Sequence, residues 1–411
     1  MKRTKFGWWL AGICASRVCN GLVFMTYAAA LPVLQQQWGM SAMQAGSIAS
    51  GFQLGYAFSL VVFSSIADRI SARTVYLWSL FASAICSVVF ALLARDFLTG
   101  LLLHALLGVS MGGTYTTAVM IIADQYVPTS RGMAVGFFIA STSCGYALSL
   151  AISGIALPAG GYRLSFLLTC IGPTLGWVLA WISLRHTVVQ VPERQEGQKF
   201  TAAVLSNQRA MLLIWGYTFH NWELQGMWSW TPAFMTACIG TTGLIAAKAA
   251  GPGANIVALF HVMGLLASFS MGALSDRFGR GQVMLVLAAV SMICSFTFGW
   301  TLGLPLLVVI GIGSIYALSS LGDSPVLSTA LTEVMEPSYL GAALGLRSLV
   351  GFIAGAISPL VFGAILDWSN PFTDGQRLYV TWGWAFSILG LGGLGAVWAV
   401  HRYEKMTIRG G

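Results

Sequence analysis

Apolar stretches long enough to cross a lipid bilayer follow one another along almost the whole of this 411-residue chain. A transmembrane helix needs about 20 mostly apolar residues. Hydrophobic residues make up 57% of the sequence and charged residues 8%, which leaves more apolar surface than a water-soluble core can bury. The sequence therefore predicts an all-α membrane protein. Its twelve predicted spans lie near residues 8–34, 43–66, 74–94, 98–122, 133–157, 164–184, 210–236, 254–274, 282–302, 304–332, 340–366 and 380–402.

The basic residues are distributed unevenly between the two sets of connecting segments. With the N-terminus inside, the cytoplasmic segments hold 15 of the 21 lysines and arginines, and the external loops hold four. Because basic segments stay in the cytoplasm, we predict a multi-pass protein of the cell inner membrane with both termini cytoplasmic. The net charge of +8 then reflects topology and needs no nucleic-acid partner. The two remaining basic residues, Arg17 and Arg347, lie inside predicted spans.

Two sequence marks occur twice, half a chain apart. The dipeptide Asp68-Arg69 recurs as Asp276-Arg277, 208 residues later, and each copy lies at the end of the second span of its half. The run PTSRGMAVG (128–136) recurs as PSYLGAALG (337–345), 209 residues later. Repeats with nearly one offset are typical of membrane proteins built from two homologous helical bundles.

One long polar stretch divides the chain near its middle. We therefore predict an N-terminal six-helix bundle at 1–187, a cytoplasmic linker at 188–208 and a C-terminal six-helix bundle at 209–411. No other segment is long enough for a soluble catalytic domain, and no phosphate-binding glycine loop is present. We therefore expect neither an enzyme nor a protein driven directly by ATP.

The second copy of the repeated mark, Gly272–Arg280, resembles the signature G-x-L-A-D-R-x-G-R that follows the second helix in the major facilitator superfamily. The first copy is degraded, with Ser64 and Ser71 at the glycine positions. The resemblance implies twelve transmembrane helices in two pseudo-symmetric six-helix bundles, which rock around a central site and give alternating access. It also implies a cytoplasmic conformational latch. The residues expected to form it are Asp68, Arg69, Arg73, Asp124, Arg131, Asp276, Arg277, Arg280 and Glu333.

Other motifs of the superfamily are altered here. The arginine that the fourth helix usually carries is missing, although His104 lies nearby. The glycine-proline run typical of the fifth helix of antiporters is absent, which argues against drug-proton exchange. The seventh span, with GYTFHNWELQGMWSW at 216–230, resembles that of bacterial carriers related to nitrate, cyanate and oxalate transporters.

Ionisable side chains inside the spans are candidates for function, because each costs about 2.5–3.5 kcal/mol to place at the centre of a bilayer. Arg17 lies roughly 15 Å from the start of the first span, near the midplane, where a guanidinium can hold an oxyanion through two parallel hydrogen bonds. We predict that the substrate is bound by Arg17, Asn20, Tyr115, His220, Glu223 and Trp228. We predict that protons are carried by Glu223, Asp323 or His220.

Two structural alternatives remain open at this stage. The 208-residue offset maps Arg17 onto position 225, so Arg17 could be permanently paired with Glu223 and serve only packing. Asp323 and Arg347 lie at similar predicted depth and could neutralise each other. In either case the charged residues would specify packing rather than bind a substrate.

The function predicted from these residues is secondary active transport of a small solute, with an organic or inorganic anion favoured and protons coupled to it. Efflux of amphipathic or cationic compounds and copper import are alternatives, the latter because methionines and histidines are soft-metal ligands. A non-transporting membrane sensor is the alternative from another class. We expect no cofactor and no resident metal. The expected partners are a small-molecule substrate, protons and the lipid bilayer, and the protein is expected to be a monomer.

Overall fold

The computed structural model describes residues 7–189, 204–241, 243–336, 339–372 and 378–410. Most of the predicted linker, together with Arg377 and the basic residues before position 7, lies outside these ranges, so the predicted division into domains stays a prediction. The described residues form α1 (Trp8–Gly21 and Thr26–Gln37), α2 (Ala42–Ala67), α3 (Ala72–Leu93), α4 (Phe97–Met111 and Thr116–Gln125), α5 (128–159), α6 (162–184), α7 (Gln208–Gly240), α8 (Ala246–Phe278), α9 (Arg280–Phe298), α10 (Leu306–Val334), α11 (Leu340–Ser369) and α12 (Gly383–Gly410).

The number of membrane crossings depends on two places in the chain. Among the described residues, ten helices are long and apolar enough to span a membrane, and one of them covers 56 residues, Thr129–Leu184. This helix contains two crossings, because the backbone turns at Gly160 and at Gly161, whose φ of +67° favours glycine. The polar helix α7 is not among the ten, although its length of 33 residues is ample. The described residues therefore trace twelve crossings, as the hydropathy pattern predicts.

Two helices begin with side-chain caps on the side predicted to be external. The hydroxyl of Ser41 accepts a hydrogen bond from the backbone of Gln44 at the start of α2. Asp96 accepts one from the backbone N–H of Thr99 at the start of α4. That backbone hydrogen bond lowers the pKa of the exposed Asp96, so this carboxylate stays ionised throughout the neutral pH range. Asp96 therefore acts as a structural cap and does not titrate where proton coupling would operate.

The two bundles contact each other at the end where α2 begins and α11 finishes. Asp367 of α11 accepts hydrogen bonds from the backbone N–H groups of Ala42 (3.0 Å) and Met43 (2.8 Å), which are the first residues of α2. A Cβ at Gly46 would overlap the carbonyl oxygen of Pro359, so the helices touch backbone to backbone. The helix α5 meets α8 near the same end, with no room for a Cβ at Gly154 or Gly251. The outer side is therefore closed.

The opposite end, which is predicted to be cytoplasmic, is open. A Cβ added at Gly132 or Gly136 of α5, or at Gly341 or Gly345 of α11, would meet no atom of the described chain within 4 Å apart from the neighbouring backbone of its own helix. These glycines belong to the repeated run, which the sequence places at the cytoplasmic ends of equivalent helices. Because the bundles meet at Gly46 and Asp367 on the outer side and leave these cytoplasmic helix faces uncovered, we interpret the structure as the inward-open state.

The outer contact gives a first testable expectation. Replacement of Asp367 by asparagine keeps one acceptor oxygen but removes the charge that faces the positive N-terminal end of α2. This change should cost the closed outer side about 1 kcal/mol, which makes the outward-open state about fivefold more populated. The measurement uses a reporter cysteine, Ser50→Cys, and the rate at which a membrane-impermeant maleimide alkylates it. Ser50 is suitable because it is buried at the interface between the bundles, where its Oγ accepts a hydrogen bond from the backbone N–H of Leu360 at 3.1 Å.

The matched control for this change is Asp96→Asn, which alters an exposed cap on the same side of the protein whose side-chain hydrogen bonds, among the described residues, come from Thr99 of the same helix. The seven native cysteines are replaced by serine in all these variants. Equal alkylation rates in the Asp367 variant and in the parent protein would show that this cap does not hold the outer side closed.

Candidate functional site

Arg17 lies inside the N-terminal bundle, where its side chain is 6% exposed. Its Nε donates a hydrogen bond to Oγ1 of Thr142 on α5 (2.9 Å), and its Nη1 donates to Oγ1 of Thr114 at the break in α4 (3.2 Å). The rings of Tyr115 and Phe138 lie 5.7 and 5.5 Å from its Cζ. No carboxylate in the described part of the chain forms an ion pair with it. Arg17 is thus a buried cation held by neutral groups.

The break in α4 places the threonine that meets Arg17. The residues Gly112–Thr114 form a short 3₁₀ turn, and α4 resumes at Thr116. The hydroxyl of Thr114 donates its own proton to the carbonyl of Met111 at 2.7 Å, so its oxygen is free to accept from Arg17. This turn fixes the guanidinium without neutralising it.

Two further tyrosines extend this surface toward the other bundle. The hydroxyl of Tyr56 on α2 lies beside the Arg17 guanidinium, and Tyr146 on α5 lies within electrostatic range of it. The ring of Tyr56 meets Phe352 of α11 at 5.6 Å between centroids, and the ring of Tyr146 meets Trp228 of α7 at 5.5 Å. The surroundings of Arg17 are therefore continuous with the C-terminal bundle.

The C-terminal bundle contains a buried histidine-carboxylate pair. Nδ1 of His220 on α7 lies 3.1 Å from Oδ1 of Asp323 on α10. The opposite ring nitrogen, Nε2, lies 2.8 Å from Oγ of Ser324. The side chains of His220 and Asp323 are 2% and 6% exposed. The sequence predicts both residues as proton carriers, but it does not predict the contact between them.

The second guanidinium in a span, Arg347 of α11, makes no ion pair with Asp323. Its Nη1 donates to Oγ of Ser328 at 2.7 Å, and its Cζ lies 4.2 Å from the centre of the Tyr217 ring. The alternative in which Asp323 and Arg347 neutralise each other is therefore wrong as a direct contact, because Asp323 faces His220 instead.

Glu223 faces away from Arg17. Its Oε1 accepts hydrogen bonds of 2.6 Å from the hydroxyls of Ser291 and Ser295 on α9, and Ser295 also contacts the hydroxyl of Tyr316 at 2.5 Å. The alternative of a permanent Arg17–Glu223 pair is therefore wrong. The offset of 208 residues gave the depth of Glu223 but not the face of the helix on which it lies.

The other predicted binding residues lie in different places. Tyr115 contacts Arg17, as described above. Asn20 is fully buried on the face of α1 that packs against Gly176 of α6, and no hydrogen-bond partner is present for its amide among the described residues. Trp228 lines a small, mostly apolar cavity with His261 and Tyr316, near the closed outer side. Among the described residues, no hydrogen bond joins Asn20 or Trp228 to Arg17, although Tyr146 lies between Trp228 and the surroundings of Arg17.

His104 has a packing role in this structure. Its Nδ1 lies 3.2 Å from the carbonyl oxygen of Ile48, and its ring is surrounded by Tyr27, Phe52 and Phe90. It therefore does not replace the arginine that the fourth helix of the superfamily usually carries.

The predicted latch residues are separated into two groups. Arg280 forms ion pairs with Asp276 (2.5 Å) and Glu333 (3.1 Å), and Arg277 lies over the ring of Phe278. In the other half, Arg73 donates to the carbonyl of Arg185 at 3.4 Å, and Asp124 accepts from Gln125. Among the described residues, no ion pair includes Asp68, Arg69, Arg73, Asp124 or Arg131. The separation agrees with an open cytoplasmic side.

The sequence profile described as the Major Facilitator Superfamily matches residues 13–321. The chain belongs to this superfamily. It is therefore a multi-pass secondary transporter rather than an enzyme, and its predicted fold of twelve helices in two bundles is confirmed.

Several relatives and solved structures are similar over most of their length. The chain is 24% identical to the hexuronate transporter of Bacillus subtilis, with 87% of each chain covered, and 23% identical to the probable L-galactonate transporter of Escherichia coli, with 86% of this chain and 82% of that one covered. It is also 24% identical to the probable sulfoacetate transporter SauU of Cupriavidus necator, with 82% of each covered.

Two solved structures share the fold. The nucleoside transporter NupG gives a TM-score of 0.73 at 14% identity, covering 97% of this chain and 100% of that one. A bacterial homologue of the lysosomal transporter Spinster gives 0.73 at 18% identity, covering 97% and 96%.

Proposed function

We propose that this protein carries small organic anions and that Arg17 binds their acidic group. The observation that carries the proposal is the burial of Arg17 without a carboxylate partner in the described chain. A lone guanidinium in a bilayer is costly, and an acidic substrate would offset its charge through two parallel hydrogen bonds. The names of the relatives, which include hexuronate, sulfoacetate, L-galactonate and benzoate transporters, support an anionic substrate.

Proton coupling is part of the proposal and depends on the pair of His220 and Asp323. The pair carries no net charge with one proton on it and a charge of −1 without that proton. Glu223 and Arg347 lie within electrostatic range of His220, and Tyr217 contacts its ring at 6.0 Å between centroids. Protonation of the pair removes negative charge from the C-terminal bundle and so favours the entry of an anion. This link between proton and anion binding is what symport requires.

The proposal includes the setting of the protein in the cell. The distribution of basic residues supports a cell inner membrane with both termini in the cytoplasm. The two latch groups, centred on Arg280 and on the loop at Asp68-Arg69, would approach each other when the cytoplasmic side closes. A single chain holds both bundles, so a monomer suffices for transport.

The proposal is tested by the thermal stability of the purified protein with glucuronate, galactonate, sulfoacetate, benzoate and the cation tetraphenylphosphonium. At about 100 times its dissociation constant, a ligand that binds should raise the free energy of unfolding by about 2.7 kcal/mol. Replacement of Arg17 by glutamine removes charge-assisted hydrogen bonds and should weaken anion binding by about 10- to 100-fold.

The control for this test is Arg402→Gln, which alters an exposed arginine near the end of α12. It should bind anions as the parent protein does. Anion binding that is equally strong in the Arg17 variant, or stabilisation by the cation alone, would exclude Arg17 as the anion site.

A further inference from the structure

Arg347 is a second guanidinium inside a span without a carboxylate partner in the described chain. It is half-buried on α11, where Ser328 accepts one hydrogen bond and the face of the Tyr217 ring lies beneath its Cζ. Its Nε is buried and has no hydrogen-bond partner among the described residues. An oriented cation with an unused donor is suited to an acceptor that the described chain does not itself supply.

The neighbouring acid does not cancel this charge when a proton is present. Asp323 contacts His220, and that pair is neutral as long as it holds one proton, whichever of the two groups carries it. Glu223 is directed toward the hydroxyls of Ser291 and Ser295 on α9. The positive charge of Arg347 is therefore available in the protonated protein.

Arg17 and Arg347 lie in opposite bundles, and aromatic side chains connect their surroundings. Tyr56 lies beside Arg17, and its ring contacts Phe352, which follows Arg347 on α11. Tyr217, the ring beneath Arg347, lies within electrostatic range of Tyr115, whose ring faces Arg17. A continuous set of tyrosines thus connects the two guanidiniums.

Their depths in the membrane are also compatible with one ligand. Arg17 is ten residues from Gly7 at the start of α1, and Arg347 is seven residues from Leu340 at the start of α11. At a rise of about 1.5 Å per residue, the two lie roughly 15 and 10 Å from the cytoplasmic ends of their helices. Both are on the open side of the contacts at Gly46, so a ligand from the cytoplasm can reach them.

We propose that the substrate is a small dianion with two acidic groups, one bound by Arg17 of the N-terminal bundle and the other by Arg347 of the C-terminal bundle. This inference rests on the proposed function, since it assigns Arg17 to one end of the ligand. Two guanidiniums that share one substrate site repel each other, and a dianion neutralises both. A monoanion leaves one guanidinium without a counter-ion when the cytoplasmic side closes and water is excluded. A ligand held by both bundles also favours their approach, which is the step that closes the cytoplasmic side.

The test compares acids that differ in one charge. The probes are oxalate, malonate, succinate, glutarate and sulfoacetate, together with the monoamide of each acid, in which one carboxylate is replaced by a neutral amide of similar size. We expect the parent protein to bind one of the dianions at least tenfold more tightly than any monoanion, and at least tenfold more tightly than its own monoamide, measured by isothermal titration calorimetry in detergent. The chain length of the preferred diacid then reports the separation of the two arginines.

Arg347→Gln should bind the preferred dianion and its monoamide with equal affinity, whereas Arg17→Gln should weaken the binding of both by about 10- to 100-fold. Ser328→Ala, a milder change, keeps the Arg347 charge but removes the hydroxyl that orients it, and should reduce the preference for the dianion by several fold. The exposed Arg402→Gln should change nothing. The melting temperature of each variant without ligand shows that it is folded.

The possible outcomes separate this inference from the proposed function. If monoanions and dianions bind the parent protein equally, or if Arg347→Gln keeps the preference for the dianion, the dianion inference is wrong and Arg17 still binds an anion. If no anion binds in an Arg17-dependent way, the proposed function is wrong, and the inference about Arg347 falls with it.

Discussion

Replacement of Asp323 by asparagine should abolish proton-driven accumulation of the substrate while leaving its downhill exchange intact. Asp323 and His220 form one buried pair, because their side chains meet at 3.1 Å and are almost fully excluded from solvent. Asparagine preserves the size of the side chain and an acceptor oxygen near His220. The substitution removes the negative charge of Asp323. Proton binding at the pair can then no longer depend on whether an anion is bound at Arg347, so the coupling between proton and anion is lost although the binding site remains.

The measurement uses proteoliposomes with an imposed pH gradient. The parent protein should concentrate a radiolabelled substrate inside the vesicles, whereas Asp323→Asn should reach only the external concentration and still exchange labelled for unlabelled substrate. The control is Asp96→Asn, because Asp96 is exposed between spans and a hydrogen bond from the Thr99 backbone lowers its pKa below the range in which the gradient operates. Accumulation that persists in the Asp323 variant would exclude this pair as the coupling site.

Glu223 is the second candidate for coupling, and the structure gives it a distinct environment. Two serine hydroxyls donate to one of its oxygens, and Tyr316 connects this group to the cavity that Trp228 and His261 line. If Glu223→Gln alone abolishes accumulation, the proton follows the route from Tyr316 through Ser295. The variants Asp323→Asn and Glu223→Gln therefore distinguish two proton routes, one through the pair of His220 and Asp323 and the other through Glu223.

The number of spans could be predicted from the sequence because a bilayer imposes a simple length requirement. About 20 apolar residues are needed whatever the neighbours of the helix, so the predicted spans agree with the described helices to within several residues at most ends. The boundary between α5 and α6 is a partial exception, since the helical assignment continues through Gly160 and Gly161. The helix α7 is less apolar than the other spans because it contains His220 and Glu223. Its length and its position in the repeat nevertheless predict it as a span.

The pairing of side chains could not be predicted in the same way. Depth in the membrane follows from counting residues, but the face of a helix that meets its neighbour depends on rotation about its axis. The repeat maps Arg17 close to Glu223, yet Glu223 is turned toward α9, and Arg17 meets Thr142, which lies 125 positions further along the chain. No periodicity in the sequence selects Thr142 among the hydroxyl residues of α5. The break in α4 that positions Thr114 was likewise not predicted, although Gly112 and Gly113 mark it.

Replacement of Gly46 by tryptophan should reduce net transport more than about 100-fold by preventing closure of the outer side. In the inward-open state the α-carbon of Gly46 lies against the carbonyl oxygen of Pro359, and even a Cβ would overlap that oxygen. Peptide carbonyls of packed helices cannot move aside as a flexible side chain can. An indole at this position therefore forces α2 and α11 apart, and the protein is held in the outward-open state.

The trapped state has a signature that a misfolded protein would lack. Ser50→Cys, one turn further along α2, should react with a membrane-impermeant maleimide at least tenfold faster in the Gly46→Trp background, because the separation exposes it to the outside. The matched control is Gly311→Trp, because Gly311 is exposed on the face of α10 that also carries Leu307 and Ile315, where an indole meets lipid. That variant should transport normally. Normal transport by Gly46→Trp would mean that the transport cycle does not require contact between α2 and α11. The state with a closed outer side would then not be an obligatory step of transport.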